Sequence, residues 1–164
     1  MNVRSNTSLG PQSDQDVPRV VVVSANPSLF GALETILRAS GWLPEPASNV
    51  EAATAIMVGS RGPRLILIAG EDAQASVDAI REVRANGAAA RPYVIALAAF
   101  VASGTLAEVL DAGADDHLMM PVAAAELQSR VRIGFRILDV QRALELRTRE
   151  LQVAMAQVKQ LQSL

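Results

Sequence analysis

Residues 111–121 read DAGADDHLMMP, and this order sets out a helix end, a turn and a short strand. Gly113 stops a helix that Ser103 can cap and that runs through Asp111. Asp115 and Asp116 fill the turn as structural acids, a strand follows around His117 to Met119, and Pro121 closes the stretch. Beyond Pro121 no glycine or proline interrupts the chain except Gly134. That leaves one helix of about 40 residues, or about 60 Å at the usual rise per residue. Such a helix is too long to end inside a compact domain.

Towards the N-terminus, buried strands alternate with helical patterns. Val20 to Val23, Leu65 to Ile68 and Val94 to Leu97 are continuous apolar runs, the mark of strands covered on both faces. Between the first two, Pro27 opens a helix whose apolar face is Leu29, Phe30, Leu33, Ile36 and Leu37, and Gly41 closes it. Trp42 to Ala47 is a weaker strand whose Pro44 and Pro46 suit a sheet edge. Ser48 and Glu51 have capping-box spacing at the start of a short helix through Val58. Val77, Ile80 and Val83 repeat at helical spacing until Asn86-Gly87. Five β/α units with buried strands predict a parallel sheet with helices on both faces.

Composition removes several classes of function. The chain has 164 residues, half of them hydrophobic, enough for one domain with a real core. Without cysteine there is no disulfide framework, thiolate metal site or cysteine nucleophile. A single histidine, His117, excludes multi-histidine metal sites. Aromatics at 3% and a net charge of −2 supply neither a stacking platform nor a basic footprint, so no nucleic-acid partner is expected. No apolar run is long enough to cross a bilayer and no signal-peptide core opens the chain, so no membrane partner is expected and a cytoplasmic location is. Residues 1–18 are polar and without period, and are expected to be a disordered tail.

Four segments in order, VVVVSANPSLFGALETILRASGW, PRLILIAGED, YVIALAA and above all DAGADDHLMMP, resemble the receiver domain of two-component response regulators over residues 19–135. The resemblance implies a flavodoxin-like (CheY-like) α/β fold, a five-stranded parallel sheet of order 2-1-3-4-5. It also implies a cis bond at Met120-Pro121. Receivers accept a phosphoryl group on an aspartate after the third strand, with Mg²⁺ held by acids after the first. A Ser/Thr after the fourth strand and a lysine after the fifth meet the phosphoryl oxygens. On this chain the acidic pair falls on Ser24 and Ala25, the acceptor on Ala69, the Ser/Thr on Ala98 and the lysine on Met120. The sole lysine, Lys159, is far along the last helix. Alanine offers neither a carboxylate to phosphorylate nor an oxygen for Mg²⁺. The expectation is a degenerate pseudo-receiver with no catalytic residues, no metal and no cofactor.

Other chemistry-bearing residues have plainer readings. Glu71 and Asp72 follow the third strand and could serve as a displaced acceptor, but no metal carboxylates or lysine would neutralise the phosphoryl charge. They read as solvated acids at the start of the next helix. His117 stands where receivers often carry Tyr or Phe; a pH-sensitive switch is conceivable, a partly exposed histidine the plainer reading. Gly59-Ser60-Arg61-Gly62 lacks the lysine and spacing of a phosphate loop and reads as a turn. Arg130, Arg132, Arg136, Arg142, Arg147 and Arg149 alternate with Glu126, Asp139, Glu145 and Glu150, which describes a solvated helix face.

The last helix carries a positive signal. Ile137, Leu144, Leu151 and Val158 recur every seven residues, with Val140, Arg147, Ala154 and Leu161 three further along. This is a coiled-coil a/d seam over residues 136–164, flawed by Arg147 at a d position and by few flanking charges. A homodimer through Ile137, Val140, Leu144, Leu151, Ala154, Val158 and Leu161 is expected. The function expected is non-catalytic signal transduction by dimerisation and protein–protein contact, regulating an output domain. The alternatives are a phosphorylatable regulator using a displaced acid, and a small flavodoxin-like enzyme or cofactor binder, for which no catalytic constellation is seen.

Overall fold

The computed structural model describes residues 17–58, 64–86, 91–98 and 105–164. In chain order the elements are β1 (Arg19–Ser24), α1 (Pro27–Ala39), β2 (Leu43–Ala47), α2 (Val50–Val58), β3 (Leu65–Ala69), α3 (Ala73–Ala85), β4 (Tyr93–Ala98), α4 (Thr105–Asp111), β5 (Asp116–Met119) and α5 (Ala124–Gln162). The five strands form one parallel sheet of order β2-β1-β3-β4-β5, the flavodoxin-like arrangement expected. The tail before residue 17, the 59–62 turn, Gly87 and the Ser103 cap lie outside the described residues.

Alternation along the strands builds two cores. Val20, Val22, Leu65, Leu67, Ile95 and Leu97 turn to one face, where Leu33 and Leu37 of α1 and Leu127 and Val131 of α5 cover them. Val21, Val23, Ile66, Ile68, Val94 and Ala96 turn to the other, under Ala53 and Met57 of α2, Val77, Ile80 and Val83 of α3, and Val109 of α4. A strand buried on both faces has no place for a polar side chain, which is why β1, β3 and β4 are runs of Val, Ile, Leu and Ala. β2 is an edge, as its prolines foretell. Leu43 N–H donates to Pro18 O (2.9 Å), so Leu43, Glu45 and Ala47 face β1, while the imino nitrogens of Pro44 and Pro46 face outward, where no ladder bond is lost.

Local chemistry sets the helix ends. Asn26 Oδ1 accepts from the N–H groups of Ser28 and Leu29, with Pro27 in the first turn of α1, and Gly41 follows the helix at φ 82°. At α2 the capping-box reading is corrected by one residue: Asn49, not Ser48, accepts from Ala52 N–H through Oδ1 (2.8 Å). Asparagine at the position before Val50 outcompetes serine because α2 begins there. Gly113 follows α4 at φ 116°, and the Met120-Pro121 peptide bond is cis.

An ionic knot ties α3, β4 and the start of β5 together. Arg84 donates to Gly113 O, Pro92 O and the Asp115 carboxylate. Asp115 Oδ2 also accepts Val94 N–H (2.9 Å), and Asp115 N–H donates to Val94 O (2.8 Å). Burial lowers the Arg84 pKa from its ordinary value, and the Asp115 charge opposes that shift. Asp116 opens β5, with its carboxylate 3.3 Å from Arg130 of α5.

α5 lies across β3 and β4 at Gly134, where a Cβ would stand 2.6 Å from Leu65 Cδ1 and 2.7 Å from Tyr93 Cδ1. Its buried residues are Leu127, Val131, Gly134 and Leu138. Past Leu138 the helix leaves the body, and Leu144, Leu151 and Leu161 are each more than 60% exposed.

Two substitutions test this packing. Gly134→Val forces three carbons between α5 and two buried side chains, and should cost about 1–3 kcal/mol in urea unfolding. Asp115→Ala leaves Val94 N–H without its side-chain acceptor and strips Arg84 of its carboxylate partner, leaving it only the Gly113 and Pro92 carbonyls, and should cost about 1.5–3 kcal/mol, whereas the exposed Glu71→Ala should leave the midpoint unchanged.

Candidate functional site

In a doubly wound sheet the carboxyl ends of the strands form the crevice where ligands are met. The structure brings the five sequence-derived positions together along that edge. Ser24, last in β1, is in register with Ala69, last in β3. Ala98, last in β4, is in register with Met119, and Met120 N–H donates to Ala98 O (2.8 Å). Ala25 follows β1 and is exposed.

Ser24, Asn26, Asp72 and Ser76 at this edge are spent on local structure. Ser24 Oγ accepts from Asn26 N–H (3.1 Å), and the Asn26 side chain caps α1. Asp72 caps α3, accepting Ala75 N–H at 2.8 Å. Ser76 is buried; its Oγ donates to Asp72 O (3.1 Å) and accepts Gly70 N–H (3.2 Å). A Cβ on Gly70 would meet that Oγ at 2.5 Å, so the turn after Ala69 is closed tightly by Gly70 and Ser76. Glu71 is exposed. Met120 is half-buried and packs against the α1/α5 core.

Other singled-out residues are elsewhere. Asp115 and Asp116 lie at the amino-terminal end of the parallel sheet, a strand's length from this edge, and serve the ionic knot and the Arg130 contact. His117 is half-buried on β5 opposite Ala96. Sequence reasoning missed Tyr93: burial pushes its phenol above the ordinary value, and the charges of Asp116 and Asp115 add to that while Arg130 opposes it. The apolar neighbours of Tyr93 hid this, since its charged neighbours arrive from β5 and α5. Among the described residues no group of three or more His, Asp or Glu could hold a metal ion. No helix among them is long and apolar enough to cross a membrane.

No family model matches the sequence, and no curated protein matches it. Solved structures do match. A response regulator from Thermotoga maritima superposes with a TM-score of 0.64 at 23% identity, over 73% of this chain and 98% of that one. The receiver domain of a sensor histidine kinase from Pseudomonas aeruginosa, solved with a magnesium ion in its active-site cleft, gives 0.61 at 26% identity, over 73% and 98%. A probable two-component response regulator/GGDEF domain protein gives 0.65 at 24%, over 76% of this chain and 51% of its own. The chain therefore has the receiver, CheY-like fold.

Proposed function

We propose that this chain is a signal-transduction module of the receiver type that has lost phosphoryl chemistry and works through protein–protein contact. The observation that carries the reading is the carboxyl edge itself. Ser24, Ala25, Ala69, Ala98 and Met120 stand at its strand ends, and none can accept a phosphoryl group as a carboxylate does, ligate Mg²⁺ as an acid does, or neutralise charge as lysine does. Asp72, one of the two candidates for a displaced acceptor, already holds the N-terminus of α3. The module is read as a pseudo-receiver without enzyme activity, metal or cofactor, in the cytoplasm, with no nucleic-acid or membrane partner.

The body is taken as residues 19–135 and the signalling arm as 136–164, the arm's first turn still packed on the body through Leu138. Along the arm, Ile137, Val140, Leu144, Leu151, Val158 and Leu161 are exposed at the spacing of a coiled-coil seam, with Ala154 between them. A lone helix in water does not keep such a stripe uncovered. A homodimer through this seam would hand the state of one body to its twin and to an output domain; the regulator/GGDEF protein, of which this chain spans 51%, joins a receiver to such a further domain.

Incubation with acetyl phosphate and Mg²⁺ should leave the intact mass unchanged, and beryllofluoride should not raise the melting temperature. A gain of one phosphoryl group that acid or hydroxylamine removes, mapped to Glu71 or Asp72, overturns the reading. Leu144→Glu together with Leu151→Glu should weaken self-association at least about 100-fold, since each lost leucine is worth about 1.5–3 kcal/mol of burial. Light scattering at tens of micromolar checks it, and an unmutated chain already monomeric there refutes pairing.

A further inference from the structure

Past Leu138, α5 presents three faces rather than two. The face that binds the body in Leu127, Val131, Gly134 and Leu138 continues as Gln141, Glu145, Thr148 and Gln152, so it turns to water once the sheet ends. The a/d seam lies about a third of a turn away from it, at 100° per residue. The third face, roughly 130° round from the seam, carries Leu146 and Val153, 51% and 59% exposed.

A two-stranded coiled coil covers the seam alone and leaves that third face in water. The seam itself is also a poor match to two strands. Two-stranded coils favour β-branched residues at a, whereas the central a positions are Leu144 and Leu151. At the d position between them, Arg147 would face its own copy. In the single chain Arg147 Nη1 is 3.2 Å from Glu150 Oε2, and Glu150 lies on the strip of surface joining the seam to Leu146 and Val153. Each copy thus brings one cation and one anion to the same layer. Such a layer is neutral against further copies of itself, and residues 151–164 add a single charge, Lys159, which is on the water-facing side.

We propose that the α5 arms of four copies of this chain form a bundle, a pair of dimers in which the seams make each pair and Leu146 and Val153 join the pairs around an Arg147–Glu150 layer. The proposal rests on the pairing put forward above and extends it to a second surface.

The test is the mass of the full chain by sedimentation equilibrium from ten to several hundred micromolar. The unmutated chain should approach four times its 17.3 kDa. Leu146→Gln with Val153→Gln should halve that mass and leave the pair. Arg147→Glu should also lose the four-chain species, and adding Glu150→Arg to it should restore that species. These positions are exposed and outside the packed body, so circular dichroism should show the same fold. An unmutated chain that stops at two copies overturns the bundle and leaves the pair standing, and one that stays single overturns both. A Leu146/Val153 variant that keeps four copies, or a charge swap that restores nothing, overturns the assigned surface.

Discussion

Burial of β1, β3 and β4 on both faces is the constraint on which the rest of the structure depends. A sheet wet on one side could carry polar residues at alternate positions and would need helices on one side only. Here Val20 through Val23, Leu65 through Ile68 and Val94 through Leu97 are all in the core, so each face must be roofed. Parallel order follows, because every strand must be left by a helix that crosses a face before the next strand begins. The roofing then places all strand ends of one sense at one edge, and that edge is where a functional site of this fold would be. The two roofs differ: three helices cover one face, while α1 and α5 cover the other. α5 makes its close approach there because residue 134 has no side chain.

Strands and their order were legible because a buried parallel strand has a distinctive composition, with four consecutive valines the clearest case. The caps of α2 and α3 were legible to within a residue. Ser48 and Asn49 are both competent caps, and the choice is settled by where α2 first turns, which depends on how Ala53 and Met57 reach the sheet. The role of Arg84 was not legible. Its partners are the carbonyls of Pro92 and Gly113 and the carboxylate of Asp115, residues 8 to 31 positions away, and no local pattern announces a guanidinium folded under a turn. Gly134 looked like a mere interruption of a helix; its reason is tertiary, in the space claimed by Leu65 and Tyr93.

The candidate positions lie at strand ends, where Ser24, Ala69 and Ala98 each close a strand one residue beyond the apolar run that marked it in the sequence. What sequence could not show is how fully the site's remaining polar groups are occupied. Ser24, Asn26, Asp72 and Ser76 could each be drawn as ligands on paper. In the folded chain they close turns and hold helix starts, so the edge is kept in shape by the very groups that a binding role would have to release.

The outward-facing prolines of β2 have a consequence for the molecule's company. An exposed sheet margin is a template for another strand, and chains guard against it with residues that cannot donate. At Pro44 and Pro46 an arriving backbone would find carbonyls and no N–H across successive outward positions, so a sixth strand cannot zip on there. The margin at β5 is short, four residues, and begins at an aspartate already engaged by Arg130. Both flanks of the sheet are thus poor seeds for runaway β-stacking.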